Sequence, residues 1–292
     1  MEIITAKNSG LCYGVKRALR IARETRSTRR GKVLTLGALI HNPQVIADLK
    51  RQGIDSVENL KDIEDATVII RSHGVSPDVY KSLLQKKIKV IDATCPIVKK
   101  IQKLVERLTR EKREIVIVGN REHPEIKGLV GYSRGKGIIV ENEIQASVLP
   151  PKKKRAVLAQ STQDLFLFEK VVSALIEKTE ELKVYNTICH STQTRQKLTS
   201  ALASEVDTLF IIGGKASSNT NKLYQISKRI LANTHFIEKA EQITPKMLKG
   251  AKKIGISGGA STPPEAIHEA VAKIKNSFKQ QIQSENMVQC QR

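Results

Sequence analysis

A short apolar segment that ends in a cysteine, just before a helix-like pattern, occurs three times in this chain. The clearest copy is Val90-Ile91-Asp92-Ala93-Thr94-Cys95; a second ends at Cys189 and a looser third at Cys12. The separations from 12 to 95 and from 95 to 189 are each about the length of one small α/β domain. We therefore predict a repeated unit that presents one thiol at each of three strand-to-helix corners.

Strand-like and helix-like patterns alternate along the rest of the chain, with nine strands predicted in all. Examples are the apolar runs Val33–Leu36, Ile115–Val118 and Leu209–Ile212, each followed by glycine. Such alternation is typical of α/β folds with parallel sheets, whose ligands bind beyond the carboxyl ends of the strands. A pseudo-threefold arrangement of three units would direct cysteines, histidines, a glutamate and several hydroxyls into one cavity.

The repeats predict where the units begin and end. The first unit is expected at 14–96 and the second at 97–190. The third, at 191–275, lacks its own cysteine strand, which the N-terminal segment 1–13 supplies. Residues 276–292 carry no motif and are predicted to form a C-terminal tail.

Composition limits the classes of protein that fit. The 292 residues carry a formal net charge of +21, yet only 3% are aromatic and tryptophan is absent. The stacking platforms of single-strand binders are therefore missing, and a basic run such as 152–155 is interpreted as an exposed loop. No segment has the length of a membrane span or the apolar core of a signal peptide. We predict a cytoplasmic protein without a nucleic-acid or membrane partner.

Four cysteines in a cytoplasmic protein favour metal or redox chemistry, or inert buried thiols, over a disulfide framework. Three thiolates converging on one centre would leave one position of a tetrahedral metal, or of a cubane cluster, open to substrate. A cysteine in the first turn of a helix should also be favoured as thiolate by the helix dipole. Cys290 lies in the polar tail and is interpreted as incidental.

Hydrogen-bond donors after the other predicted strands suggest an anion site. The donors are His41, His73, Ser217, Asn219 and Ser261. Glycine pairs at 213–214 and 258–259 would let backbone N–H groups approach phosphate oxygens. A small anionic substrate would also explain part of the positive charge.

These residues resemble the 4-hydroxy-3-methylbut-2-enyl diphosphate reductase family, and the resemblance covers residues 1 to 275. The motifs that carry it are Gly10-Leu11-Cys12-Tyr13-Gly14-Val15, Ile40-His41-Asn42-Pro43, Arg71-Ser72-His73-Gly74, Asp92-Ala93-Thr94-Cys95-Pro96, His123-Pro124-Glu125, Asn186-Thr187-Ile188-Cys189, Ser217-Ser218-Asn219 and Gly259-Ala260-Ser261-Thr262-Pro263. Their order along the chain makes a chance match improbable. Where the family often has Gln-Thr-Thr, this chain has Gln160-Ser161-Thr162.

The resemblance implies a fold, a cofactor and a reaction. The fold is a trefoil of three small α/β units around a central [4Fe–4S] cluster, with Cys12, Cys95 and Cys189 as ligands and one open iron. The reaction removes the hydroxyl of the allylic diphosphate substrate reductively, giving isopentenyl and dimethylallyl diphosphate as the last step of the methylerythritol phosphate pathway. An external electron donor such as a ferredoxin or flavodoxin is implied as well.

The resemblance also implies roles for individual residues. The expected catalytic residues are Glu125, His123, Ser161 and Thr162. The expected substrate-binding residues are His41, His73, His123, Ser217, Ser218, Asn219 and Ser261. Glu125 is expected to hold a proton near neutral pH, because desolvation disfavours the charged carboxylate. The alternative role for Glu125 is to complement the dipole of the helix that follows Pro124.

Two other classes of function remain as alternatives. A metal-dependent phosphohydrolase would use the same anion pocket with zinc and without sulfide. A nucleic-acid-binding protein would show a steep dependence of binding on salt.

Overall fold

The computed structural model describes residues 1–290, with side chains through residue 279. Within that range the chain forms twelve strands and eleven α-helices, with short 3₁₀ turns at Leu60–Asp62 and Ala240–Gln242. The strands are β1 (Glu2–Thr5), β2 (Lys32–Leu36), β3 (Ile54–Val57), β4 (Ala66–Ile70), β5 (Lys89–Asp92), β6 (Glu114–Val118), β7 (Ile138–Val140), β8 (Lys152–Ala159), β9 (Thr179–Tyr185), β10 (Thr208–Ile212), β11 (Thr234–Ile237) and β12 (Lys253–Gly258). The helices are α1 (Tyr13–Thr28), α2 (Pro43–Arg51), α3 (Pro77–Gln85), α4 (Pro96–Arg110), α5 (Pro124–Tyr132), α6 (Glu143–Ser147), α7 (Leu165–Ile176), α8 (His190–Ala203), α9 (Ser218–Ile230), α10 (Pro245–Leu248) and α11 (Pro264–Cys290).

The strands form three four-stranded sheets, and every pairing is parallel. The strand orders are β3-β2-β4-β5, β7-β6-β8-β9 and β11-β10-β12-β1. In the third sheet β1 takes the edge position that β5 and β9 take in the other two. The prediction of an α/β fold with three parallel sheets is confirmed.

Three of the twelve strands were not among the nine predicted. They are β3, β7 and β11, which lie at the edges of their sheets and span four, three and four residues. Edge strands contact a neighbour on one side only, so their sequences need not be continuous apolar runs. Polar residues interrupt β3 and β11, and β7 is apolar but only three residues long.

The chain divides into two compact units. The central unit is Cys12–Gln193 and contains the first two sheets; the terminal unit is Met1–Leu11 with Thr194–Arg292 and contains the third. The boundaries of the three units expected from the repeats stay predictions. Helix α11 runs across the boundary expected at residue 275, and the side chain of Cys290 lies outside the described residues.

The parallel strands of the central unit are buried on both faces. Along β6, Val116 and Val118 belong to one apolar cluster, whereas Ile115 and Ile117 belong to another on the opposite face. Helices cover both faces, as expected for a parallel sheet. Among the described helices, none combines the length and the hydropathy of a bilayer-spanning segment.

The basic run at 152–155 is not the exposed loop that its charge suggested, because it opens strand β8. Its three lysines are exposed, but Arg155 is completely buried. The guanidinium donates to Glu114 Oε1 at 2.8 Å, to Thr179 Oγ1 at 3.0 Å and to the Pro150 carbonyl at 2.8 Å. A buried cation is tolerated here because it is fully paired.

Replacing Arg155 with methionine should lower the free energy of unfolding by about 3–5 kcal/mol, because the Glu114 carboxylate would lose its buried partner. Urea denaturation followed by circular dichroism measures the change. The matched control is Lys153→Met in the same strand, where the side chain is exposed; this variant should unfold within about 0.5 kcal/mol of the wild type. Equal stability of the two variants would contradict the assignment of Arg155 to the core.

Candidate active site

The three predicted thiol ligands all belong to the central unit and lie at helix N-termini. Cys12 is the N-cap residue of α1 and Cys95 that of α4, while Cys189 directly precedes α8. None closes a strand, since β1 ends at Thr5 and loops of two or more residues precede each cysteine. The repeated feature is therefore a cysteine at the start of a helix.

Gly14 shows how closely two of the thiols approach each other. A Cβ atom at position 14 would lie 2.7 Å from Cys95 Sγ and 4.0 Å from Cys12 Sγ. Both sulfurs thus lie beside the first turn of α1, and Cys95 Sγ would have to move to admit a side chain at position 14. Three cysteine thiols that share one region of the central unit are the ligand set that an iron–sulfur cluster with one open position requires, so the residues present fit such a group.

Burial raises the pKa of the Cys95 thiol, and the nearby Cys12 and Cys189 add to the rise. The backbone N–H groups of Ile97 and Val98 bind the sulfur and oppose it. The helix start therefore favours the Cys95 thiolate as expected, but the loss of water outweighs the N–H donors and the net pKa is raised. A cationic ligand would reverse the balance, since metal binding stabilises thiolates.

Backbone hydrogen bonds tie two of these cysteines to the predicted catalytic and binding loops. The Cys95 N–H donates to the Ser72 carbonyl at 2.9 Å, next to His73. The Cys189 N–H donates to the Ser161 carbonyl, also at 2.9 Å. The backbone of each cysteine is consequently fixed to a serine in the loop that follows another strand.

Three histidines from three different loops meet in the central unit. The ring centroids are 4.5 Å apart for His41 and His73, 5.0 Å for His73 and His123, and 5.5 Å for His41 and His123. Their nearest nitrogens all lie within 4.8 Å of one another. The sequence predicted each residue, and the structure brings them together as one group, the histidine cluster.

The pKa of each histidine in the cluster is lowered, mainly by burial. For His123 the pKa falls to about 3, with His41 and Arg71 as further causes. The pKa of His73 falls well below its ordinary value for the same reason and through repulsion from the other cations. The pKa of His41 is also lowered, by burial and by Arg71. Burial and the positive charge of Arg71 therefore favour the neutral form of all three rings.

The ring orientations favour an anion over a metal ion at the cluster. A nitrogen lone pair lies in the plane of its ring, and the His41 and His73 rings are stacked with 24° between their planes. Two nearly parallel rings 4.5 Å apart cannot direct their lone pairs at one ion. Their N–H groups can, however, donate to separate oxygens of a phosphate group.

Glu125 is 1% exposed, and Ser161 donates a hydrogen bond to each of its carboxylate oxygens. Its Oε1 accepts from the Ser161 N–H at 2.7 Å, and its Oε2 accepts from Ser161 Oγ at 2.6 Å. Burial raises the pKa of this carboxyl, while the two Ser161 hydrogen bonds oppose the rise. With burial as the largest cause, the carboxyl retains its proton to higher pH than an exposed glutamate does.

The helix cap near Glu125 is provided by another residue. His123 is the N-cap of α5, and its Nδ1 accepts from the Glu125 N–H at 3.2 Å. The Glu125 carboxylate points to Ser161 and makes no hydrogen bond to the first turn of its own helix among the described contacts. His123 thus joins the helix start to the histidine cluster.

The structure separates the two hydroxyls that the sequence left as equivalent assistants of Glu125. Ser161 contacts Glu125 directly, whereas Thr162 Oγ1 accepts from Gln160 Nε2 at 3.0 Å. Gln160 in turn accepts from the Asn120 N–H at 3.1 Å. Thr162 therefore belongs to the hydrogen bonds that shape the loop.

The other predicted anion-binding residues lie in the terminal unit, around the start of α9. Ser217 is the N-cap residue, and its Oγ accepts from Ser261 Oγ at 3.4 Å. Asn219 Oδ1 accepts from the Ala260 N–H at 3.0 Å, and Asn219 Nδ2 is buried without a hydrogen-bond partner among the described residues. Ser218 is the first residue of α9. This group offers donors at a helix N-terminus, which suits an anion.

Arg71 is a charged neighbour of the histidine cluster that the predicted site residues do not include. It follows strand β4, and its charge acts on all three histidines. The available signal was a cation directly after an apolar strand and two residues before a histidine.

Known proteins that resemble this chain share one family and one name. A family model described as LytB protein matches residues 3–275. A 4-hydroxy-3-methylbut-2-enyl diphosphate reductase from Aquifex aeolicus is 44% identical over 287 residues, covering 97% of this chain and 99% of that protein. A relative with the same name from Geobacter metallireducens is 41% identical over 94% of this chain and 97% of its own length.

Solved structures agree as well. A structure described as (E)-4-hydroxy-3-methyl-but-2-enyl diphosphate reductase, the terminal enzyme of the non-mevalonate pathway, is 43% identical, with a TM-score of 0.67 over 94% of this chain and 100% of that one. The E-1-hydroxy-2-methyl-but-2-enyl-4-diphosphate reductase from Plasmodium falciparum is 27% identical, with a TM-score of 0.89 over 93% of this chain and 87% of that one. On these matches the chain belongs to the LytB protein family.

Proposed function

We propose that this chain is a 4-hydroxy-3-methylbut-2-enyl diphosphate reductase. It removes the allylic hydroxyl of its substrate with two electrons and two protons, releasing water and forming isopentenyl or dimethylallyl diphosphate. The relatives that it matches over nearly their full length carry this activity in their names. The reaction needs a redox group, a proton donor and a diphosphate site, and the chain has residues suited to each.

The observation that carries the proposal is the pairing of Glu125 with Ser161. The same serine binds the buried carboxyl through its N–H and hydroxyl and accepts from the Cys189 N–H through its carbonyl. A proton donor is thereby joined by one residue to a proposed cluster ligand. Hydroxide is a poor leaving group, so an acid at this position would lower the barrier to its loss.

Cys12, Cys95 and Cys189 are the proposed ligands of a [4Fe–4S] cluster. Held by these three cysteines, such a cluster would supply electrons for the reduction and would have one iron without a protein ligand. In this proposal the chain brings the thiols together at helix starts and partly shields Cys95 from water.

The geometry of Glu125 suggests how its proton moves. The protonated carboxyl can donate to Ser161 Oγ across 2.6 Å, which frees the serine hydrogen for the substrate hydroxyl. The serine then recovers a proton from Glu125 as water leaves, so no charge accumulates on the hydroxyl group. Burial keeps bulk water from competing for that proton.

The diphosphate is proposed to bind to hydrogen-bond donors rather than to a metal ion. In the central unit these donors are His41, His73 and His123. Ser217, Ser218, Asn219 and Ser261 of the terminal unit are proposed on the chemistry of their own cluster. An external electron donor such as a ferredoxin or flavodoxin, and a cytoplasmic location, complete the proposal.

Anaerobic reconstitution with iron and sulfide tests the function. The loaded protein should absorb at about 400 nm. With a chemical reductant it should convert the substrate into the two isomeric products. Zinc without sulfide, together with phosphate release in place of dehydroxylation, would favour the phosphohydrolase alternative.

Binding of inorganic pyrophosphate should be accompanied by proton uptake, because the anion stabilises the protonated form of the histidine cluster. Burial lowers the pKa of His123 to about 3, and the bound anion should raise it. Proton uptake is therefore expected between these two pKa values. Affinity should consequently fall as pH rises through the pKa of the complex. Calorimetry in buffers of different ionisation enthalpy measures the number of protons bound.

The matched variants for this experiment are His73→Asn and His268→Asn. His73 belongs to the cluster, whereas His268 lies exposed on α11. Only the first substitution should reduce the proton uptake. Pyrophosphate binding without any proton uptake would show that the histidines stay neutral in the complex.

A further inference from the structure

The proposed diphosphate ligands have one shortcoming as an anion site. They comprise histidines whose pKa values are lowered, hydroxyls and one amide, so none carries a permanent positive charge. A diphosphate bears several negative charges, and removing it from water without a compensating cation is costly. A fixed cation near the histidine cluster would meet this cost.

Arg71 is placed to be that cation. Its Nε is buried and has no hydrogen-bond partner among the described residues. No carboxylate with a described side chain lies within ion-pair distance of its guanidinium. Arg71 is half-buried, and a buried N–H donor without a partner on a charged side chain is uncommon in proteins and calls for an explanation.

The backbone of strand β2 makes room for this guanidinium. A Cβ atom on Gly37 would lie 2.0 Å from Arg71 Nη1, so the side chain crosses the end of β2 where no other side chain stands. Gly37 also has a φ of 70°, a conformation that disfavours other residues. Strand β2 leads directly into the loop that carries His41.

Arg71 also lies beside helix α5. Arg71 and Pro124, the residue after His123, line one cavity of about 160 Å³ together with Glu58 and Lys127. Lys127 is paired with Glu122 at 2.7 Å, so its charge is already compensated. Glu58 is exposed and acts on Arg71 with an opposing charge but makes no ion pair with it among the described contacts.

We propose that Arg71 supplies the fixed positive charge of the diphosphate site, held against Gly37 so that its field acts on the histidine cluster. This inference rests on the proposed function, since it assigns a charge-compensating residue to the substrate of that reaction. Arg71 acts on affinity for the anion and takes no part in proton transfer. Its side chain keeps its charge at every physiological pH.

Two substitutions at position 71 separate charge from shape. Arg71→Met keeps the length and should weaken the binding of both substrate and inorganic pyrophosphate to the cluster-loaded protein about 10- to 100-fold. Arg71→Lys keeps the charge and should restore affinity to within about fivefold of the wild type. The loss should fall on KM, with kcat at saturating substrate changed much less.

Glu58→Gln distinguishes this role from a structural one. Removing the opposing charge should tighten pyrophosphate binding about two- to threefold, with the melting temperature unchanged. If Arg71 instead only stabilised the fold through Glu58, the Gln variant would lose stability and affinity together. Either that result, or a lysine variant as weak as the methionine variant, would overturn the inference.

The outcomes for Arg71 and for the proposed function are distinguishable. Wild-type turnover of the substrate combined with an Arg71→Met variant that binds pyrophosphate normally would refute only the role of Arg71. Pyrophosphate affinity that depends on Arg71, in a cluster-loaded protein that fails to reduce the substrate, would retain the charge site and refute the reductase.

Discussion

Replacing Glu125 with glutamine should lower turnover by roughly 10²- to 10⁴-fold, with the iron content nearly unchanged. Glutamine keeps the shape of the side chain and can still bond to Ser161, but it cannot donate the proton that hydroxyl loss requires. The wild-type carboxyl is 1% exposed, and burial raises its pKa. The measurement is single-turnover product formation by the cluster-loaded variant.

The control for this experiment is Glu122→Gln. Glu122 lies in the loop before α5, in the same segment as Glu125. It is exposed and paired with Lys127. Its replacement should leave turnover within about twofold of the wild type, because exposed ion pairs contribute little. Full activity in the Glu125→Gln variant would remove the proton-donor role, and a loss of stability alone would assign Glu125 to the helix start.

Replacing Cys12, Cys95 or Cys189 with serine should remove most of the iron and sulfide bound per chain after anaerobic reconstitution. A serine hydroxyl is a much poorer ligand for iron than a thiolate, and each variant would leave only two of the three proposed thiols. The absorption at about 400 nm should fall in parallel with the metal content. Far-ultraviolet circular dichroism should stay close to that of the wild type, because all three cysteines are only partly buried.

Cys290→Ser provides the matched control, since it changes the same chemical group in the predicted tail. It should retain the wild-type content of iron and sulfide. A variant series in which Cys290→Ser loses the cluster, while any one of the other three keeps it, would refute the proposed ligand set.

The sequence alone determined the class of the fold and indicated the family. Central strands such as β4 and β6 are continuous apolar runs because helices cover both of their faces, so their pattern can be read without knowing their neighbours. The spacing of Cys12, Cys95 and Cys189 predicted three thiols at equivalent places in a repeat. The motifs around them indicated the family, which the comparisons then established.

Short edge strands and buried charges depended on tertiary contacts. Arg155 looked like part of an exposed basic loop, yet it is buried because Glu114 comes from the neighbouring strand, 41 positions earlier. The pKa of the Cys95 thiol moved in the direction opposite to that expected from the helix terminus, because burial is a property of the folded chain.

The partners of Ser161 and Thr162 show most clearly what the tertiary structure decides. Both are hydroxyl residues at adjacent positions, so no pattern in the sequence separates them. The fold turns Ser161 toward Glu125 and Thr162 toward Gln160. Sequence periodicity reports which residues are buried, but the partner of a polar atom is set by segments far apart in the chain, and only the tertiary structure brings those segments together.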